Sequence, residues 1–199
     1  MSLPTPLILP FLLLTGACGL LGRGSATAGA AAAPAASAST AAAPTSGLTD
    51  ANIAAIVVAA NNADILYADL ALAKSRDSVV RAFANMVKLD HASINEAAVA
   101  LVTRLKVAPV DNQISFDLRD DAEAKRLEFR DLEGFVFDSA YVANEVSYHT
   151  AVLGAIDKAL IPSARNAELR DLLVQVRPAV AAHMEHATAM AAQKTVRRR

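Results

Sequence analysis

The sequence predicts an all-α protein, an antiparallel four-helix bundle with one extra short helix in its central connection. Three observations carry that expectation. Hydrophobic residues make up 54% of the chain, yet aromatics are only 5% and Trp is absent. Much of the apolar content is alanine, which suits close-packed helices better than pleated sheets. Apolar residues recur at helical spacing through several long stretches, and short polar or proline-bearing breaks separate them.

The chain divides into three parts. Leu7 to Leu14 is a short apolar block followed by small residues, too short for a stable membrane span and read as the hydrophobic region of an export signal over residues 1–28. Two processing sites compete: Leu14-Thr-Gly-Ala-Cys18 resembles a lipoprotein cleavage site that would leave Cys18 lipidated, and Ala26-Thr-Ala28 would release a soluble product. Residues 29–47 are almost wholly Ala, Ser, Thr, Pro and Gly, a flexible tether. The folded domain is expected over residues 48–195, because every Asp, Glu and His follows the tether.

Thr49 is placed to cap a first helix running to Lys74, with Ile53, Val57, Ala60, Asp64, Tyr67 and Ala71 facing inward and Asp69 outward. Ser75-Arg-Asp77 breaks the chain. A second helix follows over residues 78–107; its predicted stripe is Phe83, Met86, Val87, Asp90, Ile94 and Leu101, with His91 on the flank. Ser115 is expected to cap the short, charge-dense connecting helix over residues 116–132. Gly134 precedes the next long helix, which continues to Leu160 and puts Asp138, Tyr141, Glu145, His149, Val152 and Ile156 on one stripe. Pro162 and Ser163 are expected to turn the chain into a last helix over residues 164–194, burying His183 and leaving Pro178 on its outer face.

Several function classes are excluded. The chain has 19 basic and 20 acidic residues, so no global field would draw nucleic acid. Its single cysteine, Cys18, allows neither an intramolecular disulfide nor a cysteine-based metal site. Beyond the N-terminal block no apolar run is expected to span a bilayer, so membrane attachment would come only from lipid at Cys18. Nucleophile-elbow, phosphate-loop, dinucleotide and His-Glu-x-x-His signatures are absent.

Buried carboxylates and imidazoles are costly unless they pair or hold a metal. Counted from the turns at about 1.5 Å per residue, Asp64 and Asp90 fall near one level, as do Glu145 and His183. Asp64, His149 and His183 are therefore the first candidates to bind a divalent transition metal, with Asp90, His91, Asp138 and Glu145 behind them. The Glu-x-x-His pairs of di-iron bundles are missing, since Glu145 and His149 stand four apart and Glu185 directly precedes His186.

The segments Asn62-Ala-Asp-Ile-Leu-Tyr-Ala-Asp-Leu-Ala71, Ala82-Phe-Ala-Asn-Met-Val-Lys-Leu-Asp-His91 and Phe137-Asp-Ser-Ala-Tyr141, with His149 and with Pro178 followed by His183, resemble an exported bacterial family of unknown function with a ferritin-like helical bundle. The resemblance covers residues 48–188 and implies a ferritin-like fold and a place in the periplasm or outer membrane. That family usually has Glu where Asp64 stands, and His186 is extra to its pattern. Taken together, the sequence favours a non-enzymatic binding or structural protein of the cell envelope. A metal-binding protein, storing metal or weakly oxidative, is the alternative. A hydrolase with Asp138 or Glu145 as base comes last, because no nucleophile accompanies it.

Overall fold

The computed structural model describes residues 47–197. The apolar block, Cys18 and the tether up to residue 46 lie outside the described residues. Within them the chain is all-helical, with no strand.

Helix α1 (Asp50–Lys74) begins as the sequence predicts: the Thr49 side chain accepts from the Asn52 backbone N–H, and the Asn52 side chain reaches back to the Thr49 N–H. Alanines at 54, 55, 59, 63, 68 and 71 are buried, so neighbouring helices approach α1 on most of its circumference. Contrary to expectation, α1 is long and apolar enough by length and composition to cross a membrane. Its apolar residues instead form part of the core, with Ile53, Ala68 and Ala71 fully buried.

Helix α2 (Ser78–Leu105) is capped by the Asp77 carboxylate, which accepts from the Val79 and Val80 N–H groups, and ends on Lys106 in the left-handed region. Asn61 meets Asn95, and Asp69 meets Lys88, so α1 and α2 run antiparallel. The buried face of α2 is Val80, Phe83, Ala84, Val87, His91, Ala98 and Leu101. That face is rotated from the predicted one: His91 is central, and Asp90 is 48% exposed. The rotation follows the small and branched residues of α2: Val80, Ala84 and Val87 cluster with Ala63, Ala68 and Ala71 of α1, and Ala98 with Ile53, Ile56 and Val57.

Helix α3 (Gln113–Arg130) starts earlier than predicted, because Asn112 and not Ser115 is its cap. Ser115 instead completes the capping box by accepting from the Asn112 N–H. The α2–α3 loop is tied to the start of α1 by Asn52 Nδ2 donating to Val110 O and by Asn112 Nδ2 donating to Asn52 O.

Helix α4 (Gly134–Ala155) opens on Gly134 at φ +53°, a conformation that glycine adopts without steric cost. It continues through a π-helical turn (Ile156–Leu160) into a last helical turn, α5 (Ile161–Ser163). Pro162 therefore lies inside the last helical turn, two residues before the chain reverses. The reversal comes at residues 164–166, where the Asp50 carboxylate accepts from the Arg165 and Asn166 N–H groups. Asn166 then caps α6 (Ala167–Arg197), accepting from Glu168 and Leu169 N–H. Pro178 is exposed within α6, as predicted. Asp157 pairs with Arg177, and His149 faces His183, so α4 and α6 are antiparallel.

Apolar packing forms two separate clusters. One holds Tyr67, Phe83, Phe129, Phe137, Tyr141 and Met190. The other holds Ile53, Leu101, Ile156, Leu169, Leu173 and Val180. On α2, α4 and α6, the buried residues numbered between the two clusters are polar: His91, Glu145 and His149, and His183; on α1, Asn61 lies between them and Asp64 follows directly on Ala63 of the first cluster.

Truncating Phe83, which is 1% exposed in the first cluster, is expected to cost about 3–5 kcal/mol in urea unfolding. Asn112→Ala, which removes a cap and a tie to α1, should cost about 1 kcal/mol in the same measurement.

Candidate metal centre

The polar layer draws one or two side chains from each of the four long helices. Asp64, Glu145 and His149 are fully buried, His183 is 2% exposed and His91 3%. Two sets of three can each bring one ligand atom per residue within 4.8 Å of the others: His91, His149 and His183, and Asp64, Glu145 and His149. The imidazole rings stand close, with centroids 5.7 Å apart for His91–His149, 5.4 Å for His91–His183 and 5.3 Å for His149–His183.

The orientation of each ring follows from the partner on its other nitrogen. His149 Nδ1 lies 2.9 Å from the carbonyl oxygen of Glu145, one turn earlier on α4. A carbonyl only accepts, so Nδ1 carries the proton and donates. His91 Nδ1 lies 2.7 Å from Asn61 Oδ1, and Asn61 is held in that sense because its Nδ2 donates to Asn95 Oδ1 at 3.0 Å. His183 Nε2 lies 2.8 Å from Asp90 Oδ2 and donates to it. Each outward N–H is thus engaged, and the remaining nitrogens are His91 Nε2, His149 Nε2 and His183 Nδ1. All three are buried without a hydrogen-bond partner. Oxygen acceptors on the far side of ligand histidines are the usual way a protein fixes tautomer and ring direction.

The free nitrogens face carboxylates. Asp64 Oδ2 is 2.9 Å from His91 Nε2 and 3.1 Å from His149 Nε2, at ion-pair distance but without the alignment of a hydrogen bond. Both Asp64 oxygens and both Glu145 oxygens are buried without a hydrogen-bond partner. Lone pairs of nitrogen and oxygen at such separations repel unless positive charge lies among them. Protons on the imidazoles or on the Glu145 carboxyl, or a metal ion, can relieve that repulsion.

Electrostatics separate the two carboxylates. Burial pushes the Asp64 carboxyl up, but His149 and His91 outweigh it and hold the group well below the usual carboxylate range. Burial, reinforced by the neighbouring Asp64, pushes Glu145 well above its ordinary value. Burial also lowers His183 against the opposing pull of Asp90, and His91 and His149 lower it further. The chain's three tyrosines surround the same carboxylates, and burial first, then those charges, raises Tyr67, Tyr141 and Tyr148.

Of the first candidates, Asp64 and His149 fall in one ligand set, and His149 and His183 in the other. Glu145 joins the former, and His91, which the sequence placed on a flank, joins the latter. Asp90 does not enter the layer: its backbone is on the exposed side and its carboxylate reaches in only to hold His183. Asp138 is buried but belongs to neither ligand set, about two turns before Glu145 on α4. His186 is exposed and stacks edge-on against Phe83 at 5.1 Å. Sequence reasoning missed Asn61 and Asn95, which orient His91. Their signal was an Asn at 61, on the inward side of α1 and one turn before Asp64.

The chain belongs to the family described as domain of unknown function DUF4142, whose pattern matches residues 32–190. No curated protein and no solved structure matches it.

Glu145→Gln tests the electrostatics. A carboxyl raised by folding contributes stability that is complete below its unfolded value, 4.5, and is lost as pH rises through the folded value. Metal-free wild type should therefore lose stability relative to the Gln variant as pH rises from 5 to 9, by about 1.4 kcal/mol for each pH unit between the unfolded and folded values. Parallel denaturation curves across that range would disprove the assignment.

Proposed function

We propose that this protein binds one divalent transition metal ion at the centre of a ferritin-like bundle. The ligands would be His91 Nε2, His149 Nε2, His183 Nδ1 and Asp64, with Glu145 as a further carboxylate. The observation that carries the reading is that three buried imidazole nitrogens without partners share one layer with two carboxylates that have none. Three nitrogens with one or two oxygens suit a borderline cation such as zinc, iron, manganese or copper better than calcium or magnesium. A bound ion would supply the positive charge that the layer needs. The remaining chemistry belongs to the chain: Asn61, the Glu145 carbonyl and Asp90 hold the rings, and the apolar clusters exclude water.

The rival reading is a structural layer of protonated imidazoles paired with carboxylates. It would keep the protein non-enzymatic and metal-free. Export to the cell envelope is part of the same proposal, supported by the apolar block at Leu7–Leu14, the cleavage-like sequences at Cys18 and Ala28, and the tether that follows.

Protein purified without chelators should carry about one equivalent of transition metal or take it up on reconstitution, and metal at about a hundredfold over its dissociation constant should add ~2.7 kcal/mol of stability. For a domain of this size that raises the melting temperature by about 5–10 °C. His149→Gln and His183→Gln should abolish both effects. Less than about a tenth of an equivalent by elemental analysis, unchanged on reconstitution, sinks the metal reading. Separately, the mass of the mature N-terminus from an envelope fraction should show lipidated Cys18 or a start just after Ala28. An unprocessed Met1 would overturn export.

A further inference from the structure

Helix α3 packs along α1 and touches α4 only sparingly, which leaves a cleft of about 570 Å³ among the three helices. That volume is in the range of small-molecule sites. Its walls are mostly apolar, with Ile56 from α1, Ile114 and Leu118 from α3, and Val152 from α4, and Ile114 is 44% exposed.

A few polar groups also line it, and they do not satisfy one another. Tyr67 is buried, yet its phenol makes no hydrogen bond among the described residues. Tyr148 is different: its hydroxyl proton is committed to Ala60 O at 2.7 Å. Asn144 Nδ2 is buried without a hydrogen-bond partner. Lys125 is neutralised by Glu128 at 2.6 Å, whereas Asp121 has no ion pair among the described residues. The cleft therefore offers an apolar slot, one net negative charge, a phenol and an amide donor.

We propose that this cleft binds a small apolar molecule with one amine end, whose N–H groups donate to the Asp121 carboxylate and the Tyr67 hydroxyl oxygen. The apolar walls select the apolar body, and the unpaired Asp121 selects against anions. The bound molecule lies next to the polar layer, because Tyr67 and Tyr148 meet edge-to-face at 5.4 Å and the Tyr148 ring is 6.0 Å from that of His149. That proximity makes it a ligand of the metal-bearing layer's outer wall, a step that rests on the metal reading. The cleft itself does not rest on it.

The test uses the fluorescent aromatic amine 1-aminoanthracene with the full chain, metal-free and metal-loaded. Saturable binding of one probe per chain is expected in both forms. Ala151→Trp, which fills the cleft from α4, and Ala124→Phe, which fills it from α3, should each weaken binding by at least about tenfold. The anionic probe anilinonaphthalene sulfonate should bind at least about tenfold more weakly than the amine. The proposal is overturned if binding does not saturate, if both variants fold by circular dichroism and bind the amine unchanged, or if the anion binds as well. A concentration-dependent dimer that Ala151→Trp dissociates also overturns it, since the occupant would then be a second copy. Metal uptake is read by elemental analysis, so failure of the metal reading leaves probe binding in place, and loss of probe binding leaves metal uptake in place.

Discussion

The rest of this structure depends on placing two carboxylates and three imidazoles where water does not reach. Burying unpaired charge is among the largest penalties a fold can carry. Here it is concentrated in one layer, and the core is consequently divided into two apolar clusters with the polar groups between them. The aromatic cluster around Phe83, Phe137 and Tyr141 closes one side, and the aliphatic cluster around Ile53, Leu173 and Ile156 closes the other. Every long helix except α3 contributes to the layer, so its geometry and the packing of the bundle cannot vary independently.

Orientation within the layer comes from ordinary groups. A helix carbonyl directs His149, an amide chain through Asn61 and Asn95 directs His91, and a surface carboxylate directs His183. None of the three orienting oxygens is itself among the proposed ligand atoms. Their common effect is to commit one nitrogen of each ring outward and leave the other inward. The Asp90 arrangement also shows that a residue on the exposed side of a helix can shape a buried site when its side chain reaches over the edge.

Helix α3 stands outside this scheme. It has its own cap at Asn112 and its own tie to α1, and it leaves a cleft against α4 whose inner wall is the tyrosine pair bordering the polar layer. The departure of this chain from the Glu-x-x-His spacing of di-iron bundles fits a layer of three imidazoles, in which one helix supplies both Glu145 and His149 at i and i+4. At that spacing, the same turn supplies the carbonyl that orients the ring.

The sequence alone determined that the domain is helical, where most helices begin and end, and that Asp64, Glu145, His149 and His183 face inward. Those features are written in local chemistry: caps such as Thr49, turn residues such as Gly134, and a 3.6-residue period with unambiguous apolar neighbours. It misplaced His91 and Asp90 because adjacent residues differ by only about 100° and both flank the same stripe. Which of them enters the core was decided by the fit of Val80, Ala84 and Val87 against Ala63, Ala68 and Ala71 of α1, and of Ala98 against Ile53, Ile56 and Val57. The sequence also put the cap of α3 at Ser115, where Asn112 and Ser115 act together, and it turned the chain at Pro162 and Ser163, about two residues before the reversal. Convergence of the ligand atoms, their tautomers and the cleft beside them were set only by tertiary structure. Axial counting from a turn carries an error of several residues, whereas a ligand set is defined to within an ångström or two, and only the packed helices supply that precision.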